Sequence, residues 1–154
     1  MNDIRKKGNK TDRTIFMEKH ISKHFRNKYH IHLCHEEMID GVIPDFSAYL
    51  VWKNTKEIAD VIIVEVKQDI HDFYSKNGKN FIGSSNYLAV PTELVGFAIK
   101  FLRKKKYYHV GVLEVCESGY VREVIYPQFN IDTKLFNHHG AITSLFGCPH
   151  LQNT

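Results

Sequence analysis

Val61-Ile62-Ile63-Val64 is the longest aliphatic run in the chain, and it passes straight into Glu65-Val66-Lys67. Four aliphatic residues in succession, with no polar alternation, predict a strand covered on both faces, which belongs at the centre of a sheet. The predicted strand spans residues 58–67. Glu65 and Lys67 stand two apart, so both side chains leave the same face. A central strand of this kind needs neighbours on both edges and helices over its faces, and that is an α/β architecture with a mixed central sheet.

The flanking sequence supplies those parts. Met17, Ile21 and Phe25 recur every four residues and predict a helix over 14–29, with Glu18 at the border of its buried stripe. Residues 30–37 alternate, with Ile31 and Leu33 on one face, and predict a first strand. Asp40-Gly41 signals a turn, and 42–52 reads as a second strand carrying Asp45. A short helix or ordered loop is expected within 68–79. A fourth strand over 87–90 is stopped by Pro91. Thr92 is a helix cap for an amphipathic stretch to about Lys105. Strands over 110–116 and 120–126 turn at Ser118-Gly119. The expected organisation is a flexible basic arm over 1–13, one domain over 14–127 and an irregular tail over 128–154.

The composition bounds the function. With 154 residues, 43% of them hydrophobic, the chain can bury the core of one domain. Its net charge of +4 is compatible with nucleic acid without being diagnostic. Three widely spaced cysteines suggest no disulfide framework, and no apolar leader or membrane-length run is present. A cytoplasmic protein with no membrane partner is expected.

Asp45 follows Pro44 on one predicted strand, and Glu65 and Lys67 lie on the next. Two carboxylates at one sheet edge repel each other unless a divalent cation relieves them. An adjacent ammonium can orient a water or offset charge on a phosphate. Asp45 and Glu65 are therefore candidate ligands for Mg²⁺ or Mn²⁺, with the Val66 carbonyl as a third. Lys67 is the candidate catalytic cation, and Glu18 a further ligand, direct or through water. Each also has a plainer reading: a surface aspartate after proline, a Glu65–Lys67 salt bridge, a solvated helix glutamate.

A glutamate on a first helix, a P-D string on a hairpin strand and E-x-K on the third strand resemble the PD-(D/E)XK nuclease superfamily. Val64-Glu65-Val66-Lys67 with Asp72-Phe73 beyond it, then Tyr87-Leu88-Ala89-Val90-Pro91 and Gly111-Val112-Leu113, is similar to its MmcB-like DNA-repair branch. Gln68 stands where that branch has a small hydroxyl residue. Across residues 14 to 125 the resemblance implies a restriction-endonuclease-like three-layer core. It also implies a Mg²⁺- or Mn²⁺-dependent endonuclease that hydrolyses DNA phosphodiester bonds in repair, recombination or processing. Members of such a family often act as homodimers.

Other residues extend or rival that reading. Gln68, Asp72 and Lys76 are candidates for the substrate side. Arg103-Lys104-Lys105-Lys106, followed by Tyr107 and Tyr108, is the densest basic patch and a candidate for phosphate contacts and base stacking. Cations are equally at home at a helix C-terminus. Lys6, Lys7, Lys10 and Arg13 could add non-specific attraction. One alternative is a non-catalytic nucleic-acid-binding module on the same fold. Another is a zinc-stabilised structural or regulatory protein using His30, His32, Cys34 and His35 with Cys148 and His150, although no C-x-x-C or HExxH is present and His20/His24 lack the glutamate between them.

Overall fold

The computed structural model describes residues 11–28, 31–35, 46–51, 58–74, 81 and 83–129. Helix α1 spans Asp12–Lys28. It starts two residues earlier than the apolar stripe alone predicts, because Thr11 is its cap: the Thr14 N–H donates to Thr11 Oγ1 at 3.2 Å. Arg13, which the sequence assigns to the arm, lies in this helix. Met17, Ile21 and Phe25 are each buried, as their spacing requires.

Six strands form one sheet in sequential order: β1 (Ile31–His35), β2 (Phe46–Val51), β3 (Ile58–Val66), β4 (Ser85–Pro91), β5 (Gly111–Val115) and β6 (Val121–Ile125). β1, β2 and β3 are antiparallel, β4 and β5 run parallel to β3, and β6 returns antiparallel. The sheet is thus mixed, and β3 is interior, as its aliphatic run predicts. The parallel pairs are joined through helices: α2 (Ile70–Phe73) between β3 and β4, and a 3₁₀ turn (Thr92–Leu94) with α3 (Val95–Lys104) between β4 and β5.

Each face of the sheet has its own core. Met17, Ile21 and Phe25 of α1 pack with Ile62, Val64 and Val66, with Ala89 and with Leu113. Phe73 of α2 and Ala98 and Leu102 of α3 pack with Leu88, Val90 and Val112. Alternation along β3 therefore decides which helices a side chain meets: even-numbered residues face α1, odd-numbered ones face α2 and α3. The arrangement is α/β with helices on both faces.

One local reading changes. Thr92 does not cap α3: Pro91 and Leu94 hold the cap positions and neither offers a side-chain bond. At the other end, the Tyr107 N–H donates to Leu102 O and the Lys106 N–H to Arg103 O, a Schellman closure. Lys106 occupies its left-handed position at φ 62°, where glycine is usual. Lys106→Gly removes the Cβ penalty and returns some unfolded-chain entropy, so we expect stability to rise by about 0.5–1 kcal/mol. The urea midpoint measures this, and a lower midpoint contradicts it. The Ser118-Gly119 turn falls where the sequence places it. Gly119 has φ 92° and its Cα lies against the His20 ring, so no side chain fits there.

Candidate functional site

Glu65 sits one residue from the end of β3 and is 1% exposed. Lys67 follows and is 7% exposed. Its backbone N–H donates to Ala89 O at 2.9 Å, so the ladder with β4 extends one residue past the strand. Glu65 is in register with Leu88, and Leu88 with Val112. Both neighbours belong to the α2/α3 core, so Glu65 leaves the sheet on that side. Lys67, two residues on, continues the same alternation. Burial of a carboxylate and an ammonium at adjacent positions on a strand end is expensive unless each has compensating interactions.

Asp45 and the Asp40-Gly41 turn lie outside the described residues. The nearest described pair is Phe46 with Val64 in the antiparallel β2–β3 ladder. Asp45 is bonded to Phe46, and Glu65 to Val64.

Glu18, the helix-carried candidate, is placed by α1 rather than by the sheet. It is 8% exposed, next to Met17 on α1, and α1 covers the Val64/Val66 face. Strand parity sends Glu65 to the face opposite Val64 and Val66.

Gln68 and Asp72 hold the chain as it leaves Lys67. The Gln68 N–H donates to Asp72 Oδ2 at 3.0 Å, and the Asp72 N–H donates to Asp69 Oδ1, capping α2. The Gln68 side chain bonds Asp69 through Nε2 and accepts from the Thr11 hydroxyl at 2.9 Å. Arg13 pairs with Glu93. The start of α1 is thereby fastened to the loops after β3 and β4. Lys76 lies outside the described residues.

Sequence patterning does not single out Glu114, yet it lies on the same face. It is in register with Val90 and is buried. The register that pairs Glu65 with Leu88 brings Lys67 level with Val90, so Lys67 and Glu114 flank Val90. A hydrogen bond from Thr92 holds the Glu114 carboxyl below its ordinary 4.5, reinforced by Arg122, whose Nε donates at 2.8 Å; burial opposes them. A signal existed: glutamate inside Gly111-Val112-Leu113-Glu114-Val115 mirrors Glu65 inside its own apolar strand. Because the folded-state value is depressed, Glu114 stabilises the fold above about pH 4.5, and that contribution is lost as pH falls through the folded value. Thr92→Val removes the first donor while keeping the shape; because the Thr92 side is open to solvent, we expect it to cost only about 0.5–1 kcal/mol near neutral pH. It should also flatten the acid limb of stability against pH; unfolding midpoints from pH 3 to 7 test both points.

The basic run divides. Arg103 and Lys104 end α3, Lys105 caps it, and Lys106 takes the left-handed position. Tyr107 packs on Phe81 rather than beside these lysines. Of the zinc candidates, His30, Cys148 and His150 lie outside the described residues, as do the side chains of His32, Cys34 and His35. The two helix histidines are engaged elsewhere: His20 lies against Gly119, and His24 Nε2 is 3.4 Å from Glu123, which also accepts from the Tyr87 hydroxyl. Among the described residues, no three His, Cys, Asp or Glu side chains gather as a metal ion requires. None of the described helices is long and apolar enough to cross a membrane. Comparison with protein-family models, with curated proteins and with solved structures finds no match.

Proposed function

We propose that the chain is a divalent-metal-dependent nuclease that hydrolyses phosphodiester bonds in DNA on a restriction-endonuclease-like core. One observation carries the reading: Glu65, 1% exposed, shares a face with the buried Lys67 at the end of an interior strand, beside the Phe46–Val64 pair that follows Asp45 in the chain. Hard carboxylate oxygens suit Mg²⁺ or Mn²⁺. Asp45 and Glu65 would hold the ion, with the Val66 carbonyl available to it. When bound, the ion supplies Lewis acidity at a phosphate oxygen and a lowered pKa for a water. Lys67 positions the attacking water or offsets the charge that develops on phosphorus. The Gln68–Asp69–Asp72 bonds fix the backbone immediately after Lys67 and so limit its wander. Glu18 is left out of this set because α1 covers the other face.

The test is incubation of the full chain with plasmid, single-stranded and branched DNA in Mg²⁺ or Mn²⁺, beside Asp45→Asn and Lys67→Met. Metal-dependent cleavage that both substitutions suppress supports the reading. Absence of cleavage on every substrate, or cleavage that survives Asp45→Asn, ends it.

A further inference from the structure

A depression of about 320 Å³ lies between α2 and α3. Aromatic rings build its wall. Phe73 is buried at the base, with the Phe97 ring 4.9 Å away and the Phe101 ring 5.1 Å away, both edge-on. Tyr74 stands outermost, 6.5 Å from Phe97 and 73% exposed. Lys100, Lys104 and Lys105 line the same depression, and all three are exposed. Among the described residues that line it there is no carboxylate.

A helix C-terminus explains lysines at 104 and 105. It explains neither Lys100 a turn earlier nor a tyrosine left in solvent against the half-buried Phe97. A purely apolar partner would leave three ammonium groups facing it. A double helix offers phosphates but keeps its base faces stacked inside. An unpaired strand offers both at once, flat base faces and a phosphate every nucleotide. Phe73 belongs to the core cluster shared with Leu88 and Val90, which marks the sheet face that Glu65 occupies.

We infer that this aromatic and lysine-lined depression grips single-stranded nucleic acid, with a base stacked on the exposed Tyr74 ring and meeting Phe97 at its edge, and its flanking phosphates on Lys100, Lys104 and Lys105. The inference deepens the nuclease reading by giving its substrate an unpaired segment on the Glu65 side, and it rests on that reading only for what happens after binding.

Binding is measured without metal, so that failure of cleavage and failure of this site stay separate. The full chain is titrated in EDTA against fluorescein-labelled 15-mer oligothymidylate by anisotropy. Tyr74→Ala, at an exposed position, should weaken binding about 5- to 150-fold, the range stacking of one base supplies. The Lys100→Ala/Lys104→Ala pair should lower the slope of log affinity against log salt by about 1.4, or about 0.7 for each phosphate no longer neutralised. A 15-base-pair duplex should bind more weakly and ignore Tyr74→Ala. Unchanged affinity of Tyr74→Ala for the oligonucleotide overturns the proposal. So does displacement of the oligonucleotide by polyglutamate as readily as by unlabelled oligothymidylate, or binding to phosphatidylserine vesicles with none to the oligonucleotide.

Discussion

Lys67→Met should lower the rate of Mn²⁺-dependent DNA cleavage by about 10²–10³-fold, the loss that follows removal of one group aimed at developing transition-state charge. Methionine keeps most of the stem that Lys67 buries, so packing at the end of β3 survives while the charge goes. The plainer role for Lys67, a partner that only compensates a buried carboxylate, leads elsewhere. Removing one member of a buried pair leaves the other charge uncompensated and destabilises the fold by about 3–5 kcal/mol, but it carries no signature in the chemical step. Single-turnover rates at saturating DNA separate the two: a slowed step with unaltered DNA affinity belongs to a catalytic group. An unchanged single-turnover rate in Lys67→Met would show that the ammonium takes no part in the reaction. Asp45→Asn should cost at least as much, because it removes a charged ligand rather than a stabilising donor.

What was legible in the sequence follows from how local the signals are. The interior place of β3 is written in Val61–Val64, since only a strand covered on both faces tolerates four consecutive aliphatics. The α1 stripe is equally plain in Met17, Ile21 and Phe25. Helix ends were less so. Thr11 and Thr14 are both good caps, and only the partner loop at Gln68, distant in sequence, favours the earlier one. Thr92 reads as a cap from its neighbours, but the chain first makes a 3₁₀ turn after Pro91, and Leu94 takes the cap position of α3. The same limit applies at the site. Spacing alone puts Glu65 and Lys67 on one side of a strand. Which helix covers that side is a topological fact that spacing does not contain. The aromatic wall was hidden for a similar reason: Tyr74 and Phe97 meet only because α2 and α3 cross the same face.

Mn²⁺ should raise the melting temperature of the wild-type chain by about 5–10 °C and leave Glu65→Gln unmoved. An ion present at a hundred times its dissociation constant contributes about 2.7 kcal/mol to a folded state that alone binds it. For a chain of this length each kcal/mol moves the midpoint by roughly 2–4 °C. Glutamine preserves the shape of Glu65 while removing the charge that a hard cation needs, so the shift should vanish even where the fold persists. Glu18→Gln is the informative companion. If strand parity governs the site, Glu18 faces α1's own core and its amide variant keeps the full Mn²⁺ shift, whatever it does to the stability of the metal-free protein. Were the shift instead lost in Glu18→Gln and kept in Glu65→Gln, the ion would sit on the α1 face and the assignment of Glu65 would fall. Calcium provides the control for charge alone: a stabilisation equal to that of Mn²⁺, at matched concentration and insensitive to Glu65→Gln, would mean diffuse screening of carboxylates rather than a formed centre.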